Sequence, residues 1–194
     1  MLYLELKQPK GGIIMVYLFL AEGFEEIEAL TVVDLLRRAE IGITTVSITG
    51  TKKVTGSHQI TVEADALYED IDYKEASMLV LPGGMPGTKH LGEHEELVHL
   101  LKEFHSHNKN IAAICAAPSV LGVNGILKGK QATCYPGFED KLLEAVYTGG
   151  KTEEDGNIIT GKGMGTAIEF SLKIIENLKD KAMADKIAAS IQYV

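Results

Sequence analysis

Short, wholly apolar runs alternate with longer stretches in which apolar residues return every three or four positions. The run Met15–Leu20 reads as a strand buried on both faces, since such a strand is apolar at successive positions rather than at every second one. After the Gly23-Phe24 turn, Ile27, Leu30, Val33, Leu36 and Ala39 recur at helical spacing and predict a helix over 25–39 with that stripe against the core. Strands are predicted over 43–48, 78–81, 131–134 and 158–160 and in the run that ends at Cys115, with a hairpin across 50–62. Helices are predicted over 88–91 and 95–105, from Pro118 to near Asn124-Gly125, and over 166–178 and 180–190, while 137–146 reads as helical or irregular. In the helix over 166–178, Ile168, Ser171, Leu172 and Ile175 share one face.

Strands alternating with helices imply an α/β fold with a mostly parallel sheet covered on both sides, and such sheets hold their ligand sites beyond the carboxyl ends of the strands. The chain has 194 residues, enough for one well-filled core, and a single domain over 15–194 is expected. Residues 1–14 fit the pattern poorly: Leu2, Leu4 and Leu6 alternate like an edge strand, then Pro9, Gly11 and Gly12 break the run. They are read as an N-terminal extension of open status.

A formal net charge of −8 and a pI near 5.3 argue against nucleic acid or an anionic membrane as partner, because both require a basic face. No apolar stretch reaches the ~20 residues that cross a bilayer, and Glu5 and Lys7 interrupt the first apolar run, so neither a span nor a signal peptide is read. A cytoplasmic protein is expected, with Cys115 and Cys134 reduced. The histidines do not suggest a metal site: His94 and His99 are off the four-residue spacing that aligns ligands on a helix, and the others read as solvent-facing.

The most informative segment is Asn110-Ile111-Ala112-Ala113-Ile114-Cys115-Ala116-Ala117-Pro118, an apolar strand that delivers a cysteine to a turn and continues as a helix. A lone cysteine in an apolar run is ordinarily a small core residue. At a strand-to-helix turn, however, the following N–H groups and helix N-terminus favour a thiolate or a developing oxyanion, as in a nucleophile elbow. Two further strand ends converge on it, Glu25-Glu26-x-Glu28 and Pro82-Gly83-Gly84. Alone, the glutamates only complement a helix dipole and the glycines only make a turn. Beside a thiolate, a residue without Cβ lets a backbone N–H approach a substrate oxygen.

Glu25-Glu26-Ile27-Glu28, Leu81-Pro82-Gly83-Gly84, Ala112-Ala113-Ile114-Cys115-Ala116-Ala117-Pro118 and Thr160-Gly161-Lys162-Gly163-Met164-Gly165-Thr166, in this order, resemble the DJ-1/ThiJ/PfpI superfamily, most closely its parkinsonism-associated and bacterial ThiJ-like branch. The resemblance runs from about Met15 to Val194. It implies a flavodoxin-like α/β/α sandwich, usually a homodimer, with an oxidation-sensitive nucleophile at Cys115, its carboxyl partner at Glu28, N–H donors at Gly84 and Ala116, and Gly83 in the same oxyanion and substrate-binding turn. Ala116 stands where the protease-like branch has a histidine, and the late His-Pro-Glu of glutamine amidotransferases is absent, so neither activity is expected. Thr133-Cys134-Tyr135-Pro136 places Tyr135 where many close members have a histidine, which leaves a phenol as the auxiliary group.

An ionised Glu28 would repel a thiolate, whereas a carboxyl kept neutral by burial can donate to the sulfur, so that one proton is shared by the pair. With glyoxal or methylglyoxal, attack by Cys115 would give a hemithioacetal that proton shuttling by Glu28 converts to a hydroxy acid. The expected activity is therefore of the glyoxalase III or deglycase type, without cofactor or metal, on small reactive carbonyls or their glycated adducts. The alternatives are a redox-sensing or chaperone-like protective protein with an oxidisable Cys115, and the thiazole-biosynthesis role after which some members are labelled.

Overall fold

The computed structural model describes residues 14–193. The expected edge strand at Leu2, Leu4 and Leu6 lies outside them. In chain order the elements are β1 (Met15–Leu20), α1 (Glu26–Arg38), β2 (Gly42–Ser47), β3 (Lys53–Thr55), β4 (Thr61–Glu63), β5 (Ala66–Leu67), β6 (Met78–Leu81), α2 (Gly87–Glu93), α3 (Glu95–Ser106), β7 (Asn110–Ile114), α4 (Pro118–Val123), β8 (Gln131–Ala132), β9 (Val146–Tyr147), β10 (Thr152–Asp155), β11 (Ile158–Gly161), α5 (Ala167–Leu178) and α6 (Lys181–Ser190).

Seven strands form the main sheet in the order β10-β11-β7-β6-β1-β2-β5, parallel throughout except for the antiparallel edge strand β10. Side-chain alternation divides the strand residues between two cores. Val16, Leu18, Met78, Val80, Ala112 and Ile114 face the layer of α1, α5 and α6. Phe19, Leu79, Leu81, Ile111 and Ala113 face the layer of α2, α3 and α4. The result is a three-layer, flavodoxin-like sandwich. Among the described residues no helix is long and apolar enough to cross a membrane.

Several elements depart from the sequence pattern. The stretch 131–134 does not add a strand to the main sheet, because only β8 forms and it pairs with β9 in a separate two-stranded ladder. The place at the sheet edge is taken by β10, whose polar sequence Thr-Glu-Glu-Asp carries no apolar alternation. In α1 the buried set is Glu26, Glu28, Ala29, Val32, Val33, Leu35 and Leu36, so the core face is rotated from the apolar stripe, and Ile27 and Leu30 are exposed. In α5, Phe170 and Ile174 take the centre of the buried face, with Ile168 and Leu172 at its margin.

Candidate active site

Parallel register sets the ends of β1, β6 and β7 side by side, with the α1 entry, the Pro82-Gly83-Gly84 turn and Cys115 just beyond them. The elbow is sharp. Cys115 has φ +66°, a left-handed conformation that a non-glycine residue adopts at a cost of roughly 1–3 kcal/mol. Three backbone bonds hold it there: the Cys115 N–H donates to the Gly161 carbonyl (2.9 Å), the Tyr135 N–H to the Cys115 carbonyl (2.7 Å), and the Ala117 N–H to the Ile114 carbonyl (3.1 Å).

Glu28 is wholly buried on the first turn of α1, beside the Cys115 side chain. Its Oε2 accepts the Gly83 N–H at 2.8 Å, while Oε1 is buried with no hydrogen-bond partner among the described residues. Burial pushes this carboxyl up to about 7, against the opposing pull of Cys115 and Gly83, and the Glu25 charge adds to the rise. Cys115 is partly exposed, and burial together with an ionised Glu28 pushes its thiol upward. The nearby N–H groups of Gly84 and Ala116 pull the other way. Neither of these two amides has another acceptor among the described residues. A carboxyl resisting ionisation beside a thiol is an arrangement in which one proton can be shared by the pair.

Gly83 takes a different place from the one expected. Its N–H is already committed to Glu28, so it positions the acid rather than facing an oxyanion. The helix contribution also differs: α4 has six residues and begins at Pro118, so the positive potential at the sulfur comes from the individual amides of Gly84 and Ala116 rather than from a long helix dipole. Gly84 (φ +92°) could carry no side chain, since a Cβ there would strike the Glu25 nitrogen. Tyr135 is half exposed, with its ring against Gly163, and it is tied to the site through its backbone. Cys134 is fully buried and not disulfide-bonded, and burial raises its thiol to about 11.

The sequence pattern missed what surrounds Glu26. The turn between β3 and β4 folds onto the start of α1, where Glu26 Oε1 accepts the His58 N–H (2.8 Å) and Oε2 accepts from the His58 ring Nδ1 (3.0 Å). Ser57 Oγ donates to both Glu25 and Glu26, at 3.2 and 3.3 Å. The histidines are therefore not simply solvent-facing, and His94 also has a structural role, accepting the Leu97 N–H to cap α3. Nothing in the local sequence around Gly56-Ser57-His58 announces a partner 32 residues away.

Residues 15–177 match the DJ-1/PfpI family. The chain belongs to that family. It is 38% identical over 174 residues to protein dj-1beta of Drosophila melanogaster, covering 89% of this chain and 93% of the relative. It is also 38% identical over 167 residues to protein DJ-1 homolog A of Arabidopsis thaliana, covering 84% of this chain but only 43% of that longer relative. The solved structure of oxidized Toxoplasma gondii DJ-1 superposes with a TM-score of 0.90 at 37% identity, covering 93% of this chain and 99% of that one. Fold and family thus agree with the DJ-1/PfpI expectation.

Proposed function

We propose that this DJ-1/PfpI member is a cysteine-dependent, cofactor-free enzyme that converts small α-oxoaldehydes, or the adducts they form, to hydroxy acids. The observation that carries the reading is the meeting of two otherwise uncommitted amides, Gly84 and Ala116, with a buried acid, Glu28, on one sulfur. The Cys115 thiolate would attack the aldehyde carbon of methylglyoxal, forming the C–S bond while the carbonyl electron pair moves to oxygen. The oxygen bonded to that carbon then lies within reach of the two amides and takes the proton of Glu28. The Glu28 carboxylate next removes the proton from the former aldehyde carbon to leave an enediolate; the hydroxyl proton passes to the neighbouring oxygen, and return of the proton from Glu28 to the adjacent carbon gives an S-lactoyl thioester. Water cleaves the thioester to lactate and regenerates the thiolate, so no external electron donor or acceptor is used. Cys115 is the nucleophile, Glu28 the acid–base, Gly84 and Ala116 the oxyanion donors and Gly83 the group that positions Glu28.

A homodimer is part of the proposal. Ile27 and Leu30 on the outer face of α1, with Ile60 of the neighbouring hairpin, form an exposed apolar stripe of the kind that association would cover. The decisive experiment measures lactate from methylglyoxal, or glycolate from glyoxal, with the purified protein and with Cys115→Ala. Product formation abolished by the substitution supports the enzyme.

One observation favours a second, redox reading: Cys115 is the partly exposed thiol and Cys134 the sealed one. A peroxide would transfer oxygen to the thiolate, its O–O bond breaking and water leaving, to give a sulfenic and then a sulfinic acid. Stable sulfinic acid at Cys115 without carbonyl turnover would replace the enzyme with this sensor.

A further inference from the structure

Three carboxylates crowd the entry to α1. Glu28 faces Cys115, Glu25 raises the Glu28 carboxyl through its charge, and Glu26 is nearly buried beside them. Gly83 connects the first two, since its N–H donates to Glu28 (2.8 Å) and its carbonyl accepts the Glu25 N–H (2.9 Å). Such a cluster of like charges is unfavourable unless a cation or hydrogen-bond donors compensate it. Compensation arrives from outside the helix. The β3–β4 turn sets the His58 ring Nδ1 3.0 Å from Glu26 Oε2 and 3.6 Å from Glu25 Oε2, with Ser57 Oγ bridging both carboxylates and lying 3.1 Å from the ring nitrogen. The turn is pinned by the Ser57 N–H donating to the Phe24 carbonyl (2.8 Å), and the fit at Gly56 is close, because a Cβ there would strike the Glu26 carboxyl.

We infer that His58 is a positioning residue of this site: as an imidazolium it balances Glu25 and Glu26 and so sets how readily Glu28 releases the proton it shares with Cys115. The inference rests on the proposed acid–base role of Glu28. His58 does not touch the reacting atoms; it acts through Glu25, which shares the Gly83 backbone with Glu28 and whose charge opposes ionisation of that carboxyl. The groups facing His58 are Glu25 and Glu26 from the start of α1 and Ser57 from its own turn, while Glu22 lies in the turn after β1, where its carboxylate accepts the Thr55 N–H at 3.2 Å. The hydrogen bond to Glu26 holds the His58 ring charged above its ordinary range, with the Glu25 charge adding to the effect. Loss of that positive charge leaves Glu25 and Glu26 uncompensated, and both proton losses of the Glu28–Cys115 pair move to higher pH.

The test follows Cys115 in two ways: the pH profile of kcat/KM for methylglyoxal, and the pH profile of Cys115 alkylation by iodoacetamide, which needs no turnover. His58→Gln is expected to move the acid limb of both profiles upward, lowering the rate near pH 6 by about threefold, which corresponds to roughly half a pH unit. His58→Arg, which keeps the cation, is expected to restore the wild-type profile, and Glu25→Gln to move it the opposite way. High salt should shrink the differences, since the ring is two-thirds exposed. Profiles of His58→Gln that coincide with wild type, or a His58→Arg profile that matches His58→Gln, overturn the inference. If all variants lack turnover while the alkylation profiles shift as expected, the carbonyl-enzyme reading falls and the role of His58 stands.

Discussion

The amide of Gly83 donates to the Glu28 carboxyl at 2.8 Å across 55 positions of sequence. That bond joins the turn after β6 to the first turn of α1 and leaves the other carboxyl oxygen buried without a hydrogen-bond partner among the described residues. The acid is therefore aimed by the backbone of a residue with no side chain, and the space is fully used. A Cβ on Gly83 would lie 2.6 Å from Cys115 Cβ, 2.7 Å from Glu28 Oε2 and 3.1 Å from Cys115 Sγ.

Gly83→Ala is accordingly expected to force Glu28 and Cys115 apart. Overpacking of this kind costs about 1–3 kcal/mol, and a displacement near 1 Å at reacting groups costs about 10²-fold in rate. Urea denaturation and methylglyoxal kinetics on the same preparation check both numbers.

Glu28→Gln is expected to lower carbonyl turnover by about 10²- to 10⁴-fold while keeping the fold, since an amide cannot exchange the proton. It should also change the pH dependence of stability. Folding raises the Glu28 carboxyl from its ordinary value near 4.5 to about 7, so the native state holds a proton that the unfolded chain releases. The wild type should then be most stable below pH 4.5 with respect to this group, and lose on the order of 3 kcal/mol as pH rises through 7. Denaturation midpoints at pH 5 and pH 8 should diverge for wild type and converge for Glu28→Gln.

Glu26 has the opposite sign. Burial alone would raise its carboxyl, but its own N–H, the His58 ring and the His58 and Ile60 amides outweigh burial and hold it below the ordinary range. Its contribution is present above the unfolded value and lost as pH falls through the folded one. Glu26→Ala should cost about 1–3 kcal/mol near neutrality, with a smaller deficit in acid, as read by thermal melts at pH 7 and pH 3.5.

Cys115 should alkylate far faster than Cys134, because one sulfur is partly exposed and faces two amides while the other is sealed in the core. Competitive labelling followed by peptide mapping measures the ratio. Equal rates down to pH 6 would sink the activated-elbow reading.

Tyr135→Phe should keep turnover within about twofold, since hydroxyl removal leaves the ring against Gly163 and the backbone bond to Cys115 in place. A loss near 10²-fold would instead make the phenol a proton relay. Tyr135→His tests the same place with an imidazole, and a gain in turnover without a changed Cys115 alkylation profile would show that this position limits the reaction.

The chain by itself determined the architecture wherever burial on both faces leaves a continuous apolar run: β1, β6 and β7 are legible because every residue of a central parallel strand must be apolar or small. The elbow was legible too, since a cysteine between such a strand and a proline-started helix has few places to go. Tertiary structure decided what depends on distant partners. The edge strand β10 is only partly buried, so its polar side chains are tolerated and its pairing with β11 left no apolar signature. The inward face of α1 was misread from Ile27 and Leu30, because hydrophobicity places a glutamate outside, and only the approach of Gly83 and Cys115 gives buried Glu28 its partners. The clamp of His58 on Glu26 joins groups 32 residues apart through side chains that look like ordinary surface, and only the folding of the β3–β4 turn onto α1 brings them together.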